Sequence, residues 1–146
     1  MALVDDAIAA TELLTRDGTF SLGEVRQDEA NFGNFVFVLT SKAGFCLRFV
    51  RDRGDVWCDI RPNGSQGGWY YLNDVLAVLG IDAPAGISDW KKTVAAISGI
   101  VKGNMSTLAE ALSPNAAPVT IEKVRAYALR RVMGRFGTSN LISDDV

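Results

Sequence analysis

The sequence predicts an α+β fold, with an N-terminal helix, an antiparallel β-meander of three to four strands, and C-terminal helices packed on the sheet. A helical repeat of apolar residues runs through residues 2–16. Short segments with alternating apolar side chains follow between residues 32 and 72, and a helical repeat returns over residues 73–136. Because 146 residues is the size of one domain, we expect a single α+β domain with a loose tail at residues 137–146.

The N-terminal helix is predicted from an apolar stripe with spacings of three and four residues: Leu3, Ala7, Ala10 and Leu14. Gly18 follows as the expected stop. Residues 19–25 are compatible with a short strand, although Gly23 weakens the alternation. Residues 27–31 are predicted to be a loop.

Three strands of the meander are predicted from side-chain alternation at residues 34–40, 45–51 and 55–61. The first of them is apolar on both faces, which indicates a central strand or one that is covered on both sides. Residues 69–72 are predicted to form a fourth, short strand after the turn at residues 62–68.

A two-residue loop, Arg53-Gly54, fixes the pairing of the second and third of these strands. It sets three cross-strand pairs: Arg48–Asp59, Val50–Trp57 and Asp52–Asp55. One face of the hairpin is then apolar and should be the core: Phe45, Leu47, Phe49, Val56, Cys58 and Ile60. Arg51 falls on that face too, close to the tip, where its guanidinium can reach water.

The C-terminal part is predicted to contain several helices with distinct caps. Asn73 is expected to cap a short helix that ends at Gly80, and Ser88 to cap the next one. A break is expected near Gly103, since two glycines interrupt the repeat there.

The residues after this break predict two more helices. Thr107 and Glu110 have the spacing of a capping box, and Thr120 is expected to cap the final helix. The residues of that helix expected to face inward are Ile121, Val124, Ala128 and Val132. Its basic residues are interpreted as a complement to the helix C-terminus rather than as a binding patch.

Composition excludes several kinds of chemistry. The chain has no histidine, which removes the usual general base near neutral pH and the commonest zinc ligand. The two cysteines, Cys46 and Cys58, fall on opposite faces of the hairpin and are expected to be thiols. No metal site and no cofactor are expected, and no enzymatic activity.

Charge and hydropathy limit the partners and the compartment. A net charge of −2 gives no overall electrostatic attraction to nucleic acid. No apolar window of about 18 residues is present, so no membrane span is expected. We expect a cytoplasmic protein, since no secretory signal precedes the first helix.

The charged hairpin is the best candidate for a functional surface. Arginine and tryptophan are enriched in interface hot spots, because they supply fixed donors and a large flat area. The alternative interpretation is a solvated, salt-bridged sheet face that resists edge pairing. The candidate partner-binding residues are Arg48, Arg51, Asp52, Arg53, Asp55, Trp57, Asp59 and Arg61.

The run FVRDRGDVWCDI at residues 49–60, followed by WYYL at residues 69–72, resembles small bacterial proteins that include immunity proteins of toxin–immunity systems. The resemblance covers about residues 32–80 and is based on an Arg-Asp-Arg-Gly turn and a Trp-x-Asp strand. It carries over no catalytic or binding residues. It implies a stoichiometric protein partner, a cognate toxin, and no cofactor.

A second hypothesis, of a different class, is an enzyme or small-ligand binder. Its pocket would lie between the sheet and the C-terminal helices and would be lined by Trp69, Tyr71 and Trp90. A deep cavity at that place would favour this hypothesis, and a sheet face filled by helix side chains would count against it.

Overall fold

The computed structural model describes residues 3–28, 30, 33–64, 68–84 and 89–135, and these form an α+β fold as predicted. The N-terminal helices and strands are α1 (Leu3–Ala10), α2 (Glu12–Thr15), β1 (Phe20–Asp28), β2 (Asn34–Ser41), β3 (Phe45–Asp52), β4 (Asp55–Pro62) and β5 (Tyr70–Tyr71). The remaining helices are α3 (Leu72–Val78), α4 (Trp90–Gly103), α5 (Met105–Ala111) and α6 (Ala117–Arg135). The predicted cap Ser88 and the tail 137–146 lie outside the described residues.

The sheet is an antiparallel meander whose spatial order, β1-β2-β3-β4-β5, follows the order of the chain. Its two faces differ sharply in burial. The core face carries buried side chains from the three central strands: Phe35, Phe37, Leu39, Phe45, Leu47, Phe49, Cys58 and Ile60. We call the opposite side the outer face, defined by Val36, Val38, Cys46, Arg48, Val50, Asp52, Asp55, Trp57, Asp59 and Arg61.

Helices cover the core face and bury their apolar stripes against it. Val4 of α1, Leu76 of α3 and Val101 of α4 join the sheet residues in one hydrophobic core. The longest helix, α6, packs chiefly on α3, and its Val124 reaches the same core. The half-buried outer-face residues Val36 and Val50 do not belong to this core.

The β3–β4 hairpin has the register that the sequence predicts. Arg48 is opposite Asp59, Val50 opposite Trp57, and Asp52 opposite Asp55. Arg53 and Gly54 at the tip have φ angles of 55° and 90°. Positive φ at both central residues is typical of the type I′ turn, whose twist matches that of the flanking strands.

The N-terminal third departs from prediction in two places. The first helix is interrupted at Thr11, which is fully buried and donates a hydrogen bond from its Oγ1 to the Ile8 carbonyl at 2.7 Å. The short strand considered for residues 19–25 is present but longer: β1 runs from Phe20 to Asp28, so it includes Gln27 and Asp28 of the predicted loop. The pairing of β1 with β2 is irregular between Leu22 and Val25, and this bulge breaks the two-residue alternation.

The break after Gly103 is confirmed, but several predicted caps are wrong. Helix α3 begins at Leu72, so Asn73 lies inside it, and α4 is capped by Asp89, whose Oδ1 accepts from the Lys91 N–H at 2.9 Å. Helix α5 begins two residues before Thr107.

The final helix also begins earlier than predicted. It starts at Ala117, with Pro118 in its first turn, where the missing N–H is not needed. Thr120 therefore lies within the helix, and the Ser113 carbonyl accepts from the Ala117 N–H at 2.7 Å. Val132, which was expected to face inward, is 39% exposed.

Candidate functional site

The centre of the outer face is an ion pair between neighbouring strands. Nε and Nη2 of Arg48 donate to Oδ2 of Asp59 at 3.0 and 2.7 Å. The Asp59 residue is 7% exposed, so its carboxylate depends on this arginine for compensation. The pair fixes the position of Arg48 on the sheet.

Trp69 lies over this part of the outer face. The guanidinium carbons of Arg48 and Arg61 are 4.8 and 4.3 Å from the centroid of its ring. These distances are those of cation–π contacts between the ring and both guanidinium groups.

Asn34 at the start of β2 supports the hairpin tip. Its Nδ2 donates to Oδ1 of Asp52 at 3.3 Å, and its Oδ1 accepts from the backbone N–H of Arg53 at 2.8 Å. The amide thus holds both the end of β3 and the turn. Sequence reasoning missed this residue, because Asn34 precedes the turn by 19 residues.

Arg51 is turned to the other side of the sheet, as the register predicts. Its Nη1 donates to the Gly33 carbonyl at 3.0 Å, and its guanidinium carbon is 5.5 Å from the ring centroid of Trp90. Trp90 also makes an edge-on contact with the buried Phe35. Arg51 therefore connects the hairpin to α4 and does not belong to the outer face.

A hollow of about 610 Å³ lies on the outer face beside the hairpin tip. Val36, Val50 and Trp57 face one another across three strands and form its floor. Arg26 and Asp28 on the edge strand β1 line one wall. The arrangement combines an apolar floor with a charged rim, which is the anatomy of a protein interface.

The structure brings most of the predicted partner-binding residues together. Six of them share the outer face: Arg48, Asp52, Asp55, Trp57, Asp59 and Arg61. Arg53 lies at the exposed tip, and Arg51 lies on the reverse side. The sequence prediction missed the floor residues Val36 and Val50, which side-chain alternation alone would have placed there.

The three aromatic residues of the alternative pocket do not lie together. Trp69 lies on the outer face, whereas Trp90 contacts Phe35 on the core side. The core face between them is filled, since Phe37 and Leu47 are fully buried. Of the three, Tyr71 borders a cleft of about 510 Å³ between α3 and α6.

This α3–α6 cleft contains a partly buried ion pair that the sequence did not reveal. Nε and Nη2 of Arg131 donate to Oδ1 and Oδ2 of Asp74 at 2.8 and 2.9 Å. The bond to Asp74 raises the pKa of Arg131. The guanidinium carbon of Arg131 is 5.4 Å from the ring centroid of Tyr71. A second basic residue of α6, the exposed Arg125, donates to the Tyr70 hydroxyl at 3.2 Å, so two basic residues of α6 bond to neighbouring elements.

The two cysteines are free thiols on opposite faces, as predicted. Burial raises the pKa of the Cys58 thiol well above its usual range. Cys46 is half-buried and donates a hydrogen bond from Sγ to Oδ1 of Asn63 at 2.8 Å.

The described residues contain no group of three or more Cys, Asp or Glu side chains placed to hold a metal ion. No helix among them is long and apolar enough to cross a bilayer. Comparisons with protein-family models, with curated proteins and with solved structures found no match to this chain.

Proposed function

We propose that this chain is a non-catalytic protein-binding domain and that its partner docks on the outer face of the sheet. The observation that carries the proposal is the difference in burial between the two faces of the sheet. The described helices fill the core face, while Val36, Val50 and Trp57 form a half-buried apolar floor outside the core. An open apolar floor with fixed arginines at its border supplies the elements from which interface hot spots are built.

The side chains on this face favour a binding surface over a catalytic site. The most buried carboxylate, Asp59, is held by Arg48 and is not free to act as a base or nucleophile. The carboxylates at the tip end of this face, Asp28, Asp52 and Asp55, are exposed to solvent. No histidine is present to take either role.

The resemblance of residues 49–60 and 69–72 to immunity proteins suggests the class of partner. We propose a cognate toxin that is neutralised by one-to-one association. The expected result is that co-expression of this chain rescues bacteria from the toxin encoded beside it. Loss of rescue in Trp57→Ala, with unchanged cellular levels of the variant, places the contact on the outer face.

The docking surface is tested by measuring affinity with a purified partner. Proteins captured from the native host by the full chain are identified, purified and titrated calorimetrically. Trp57→Ala is expected to weaken binding by about tenfold or more, since central interface residues cost about 2 kcal/mol. Lys92→Ala, an exposed change on α4, is the matched control and should leave the affinity unchanged. Equal effects of Trp57→Ala and Lys92→Ala would refute the proposed surface.

A second candidate function is small-ligand binding in the α3–α6 cleft. It is favoured by the size of that cleft, about 510 Å³, and by the polar and aromatic groups that converge there: Tyr71, Asn73, Asp74, Tyr127 and Arg131. A fragment screen by NMR tests it. Shifts confined to these residues support this candidate, and shifts confined to the outer face support the protein-binding surface.

A further inference from the structure

We infer that the outer face selects a cationic partner segment, in which an apolar anchor enters the hollow and neighbouring Lys or Arg side chains meet carboxylates at the hairpin tip. This inference rests on the proposed function, since it names the chemistry of the partner at the same face. It follows from the order of the side chains across the strands.

Three aspartates lie in one row at the tip end of the outer face. Asp28 on β1 is opposite Asn34, Asn34 is bonded to Asp52, and Asp52 is opposite Asp55 on β4. All three aspartates are exposed, and none has an ion pair with another of the described residues. Their charges are therefore available to a partner.

The arginines near this row are largely engaged elsewhere. Arg26 pairs with Glu24 at 2.7 Å, and Arg48 pairs with Asp59 at 2.7 Å. Arg51 lies on the reverse side of the sheet. Arg53 at the turn is the remaining described cation at this end, so the row has an excess of negative charge. Complementary charge on a partner steers its approach and excludes acidic competitors.

The next row along the strands is apolar and determines the spacing of the partner's groups. Val36, Val50 and Trp57 form this row. Val50 and Trp57 lie two residues from Asp52 and Asp55 on their strands, and Val36 lies two residues from Asn34, which is opposite Asp28. Two residues along a strand span about 7 Å. A Lys or Arg that lies two extended residues, or one helical turn, from an apolar anchor therefore reaches the carboxylates when the anchor occupies the floor.

The test uses a phage-displayed library of random 12-residue peptides as the probe. The library is panned on the full chain, and the enriched peptides are synthesised and titrated against three proteins. The first is the wild type, and the second carries Asp28→Asn, Asp52→Asn and Asp55→Asn. The third is a charge-matched control with three remote exposed changes, Asp5→Asn, Asp82→Asn and Glu110→Gln. Circular dichroism checks that all three proteins are folded.

The expected result is enrichment of Lys or Arg beside an aromatic or aliphatic residue, with amide shifts at Val36, Val50 and Trp57. The tip triple variant should then weaken binding about tenfold at 0.15 M salt, and the remote control less than twofold. If the enriched peptides change the amide shifts of these three residues but are uncharged, or bind the tip triple variant as tightly as the wild type, the inference of a cationic partner is overturned. Either result would still support the outer face as the docking surface. If no enriched peptide shifts the outer face, the face itself fails as a docking surface, and the inference fails with it.

Discussion

Asp74 and Arg131, 57 residues apart in the chain, form an ion pair whose two partners differ greatly in exposure. The Asp74 side chain is 4% exposed, whereas that of Arg131 is 33% exposed. Both carboxylate oxygens accept from the guanidinium, which is the geometry of a two-point arginine–carboxylate contact. The pair fastens α6 to α3.

Because the two side chains differ in exposure, we expect their replacement by alanine to lower the free energy of unfolding by different amounts. Arg131→Ala leaves a buried carboxylate without a cation and should lower the free energy of unfolding by about 3 kcal/mol. Asp74→Ala should cost about half as much, because the released guanidinium can return to water. Urea denaturation measures both, with the exposed Arg130→Ala as a control. Equal losses from the two variants would contradict the asymmetry.

Gly33→Ala is predicted to destabilise the protein. Its φ is +68°, and a Cβ there would lie 2.5 Å from Cδ1 of Leu3 and 2.9 Å from Nη1 of Arg51. Gly33→Ala should therefore combine backbone strain with movement of the Leu3 and Arg51 side-chain ends, and cost about 2 kcal/mol of unfolding free energy. Gly54→Ala, with φ of +90° and no atom within 4 Å, isolates the strain and should cost about 1 kcal/mol. Thermal denaturation in which both variants lose the same stability would show that the Gly33 contacts do not matter.

The exposed bond between Lys102 and Asp17 predicts a pH effect. Nζ of Lys102 donates to Oδ2 of Asp17 at 2.7 Å, and this bond, with a further one from Thr19, lowers the pKa of Asp17 well below its ordinary value of 3.8. A lowered folded-state pKa stabilises the protein above about pH 4, and the effect is lost as the pH falls through the folded pKa.

Lys102→Met is the corresponding test. The pKa of Asp17, followed by NMR, should rise toward 3.8 in the variant. Any stability difference from the wild type should be present at pH 6 and should vanish in strong acid. Lys92→Met, another exposed change on α4, should leave the Asp17 titration unaltered. An unchanged pKa of Asp17 in Lys102→Met would show that the bond to Lys102 does not cause the lowered pKa.

The two thiols are predicted to differ in reactivity. Cys58 is 2% exposed and its raised pKa keeps it protonated, so iodoacetamide at pH 8 should leave it unmodified in the folded chain. Cys46 is half-buried at the outer face and should be the residue labelled. Mass spectrometry of the native protein identifies the site, and unfolding in urea should expose the second thiol. Labelling of Cys58 in the folded state would contradict its burial.

The hairpin could be predicted in detail because its determinants are local. A two-residue turn leaves one register, and that register places Leu47 with Ile60 and Arg48 with Asp59. Arg51 was also placed correctly on the core side, since its position follows from the same alternation. Where the chain reverses within two residues, the sequence contains enough information to assign both faces.

Other features depended on distant or irregular contacts and were missed. The β1 strand contains a bulge between Leu22 and Val25 that hides its alternation. The caps at Asn73 and Thr120 were misplaced because many polar residues near a helix start can serve as caps. No local pattern connects Asp74 with Arg131, and no motif identifies the hollow as a site.

The strand order implies a sequence of events during folding. Each strand of the meander pairs with the one just before it, so the sheet requires only short loop closures and can grow hairpin by hairpin as the chain emerges. By contrast, α1 packs against α4, about 80 residues later. The packing of α1 and α4 covers the apolar core face of the sheet. Until α4 has been synthesised, that face should remain exposed and the meander should be prone to self-association.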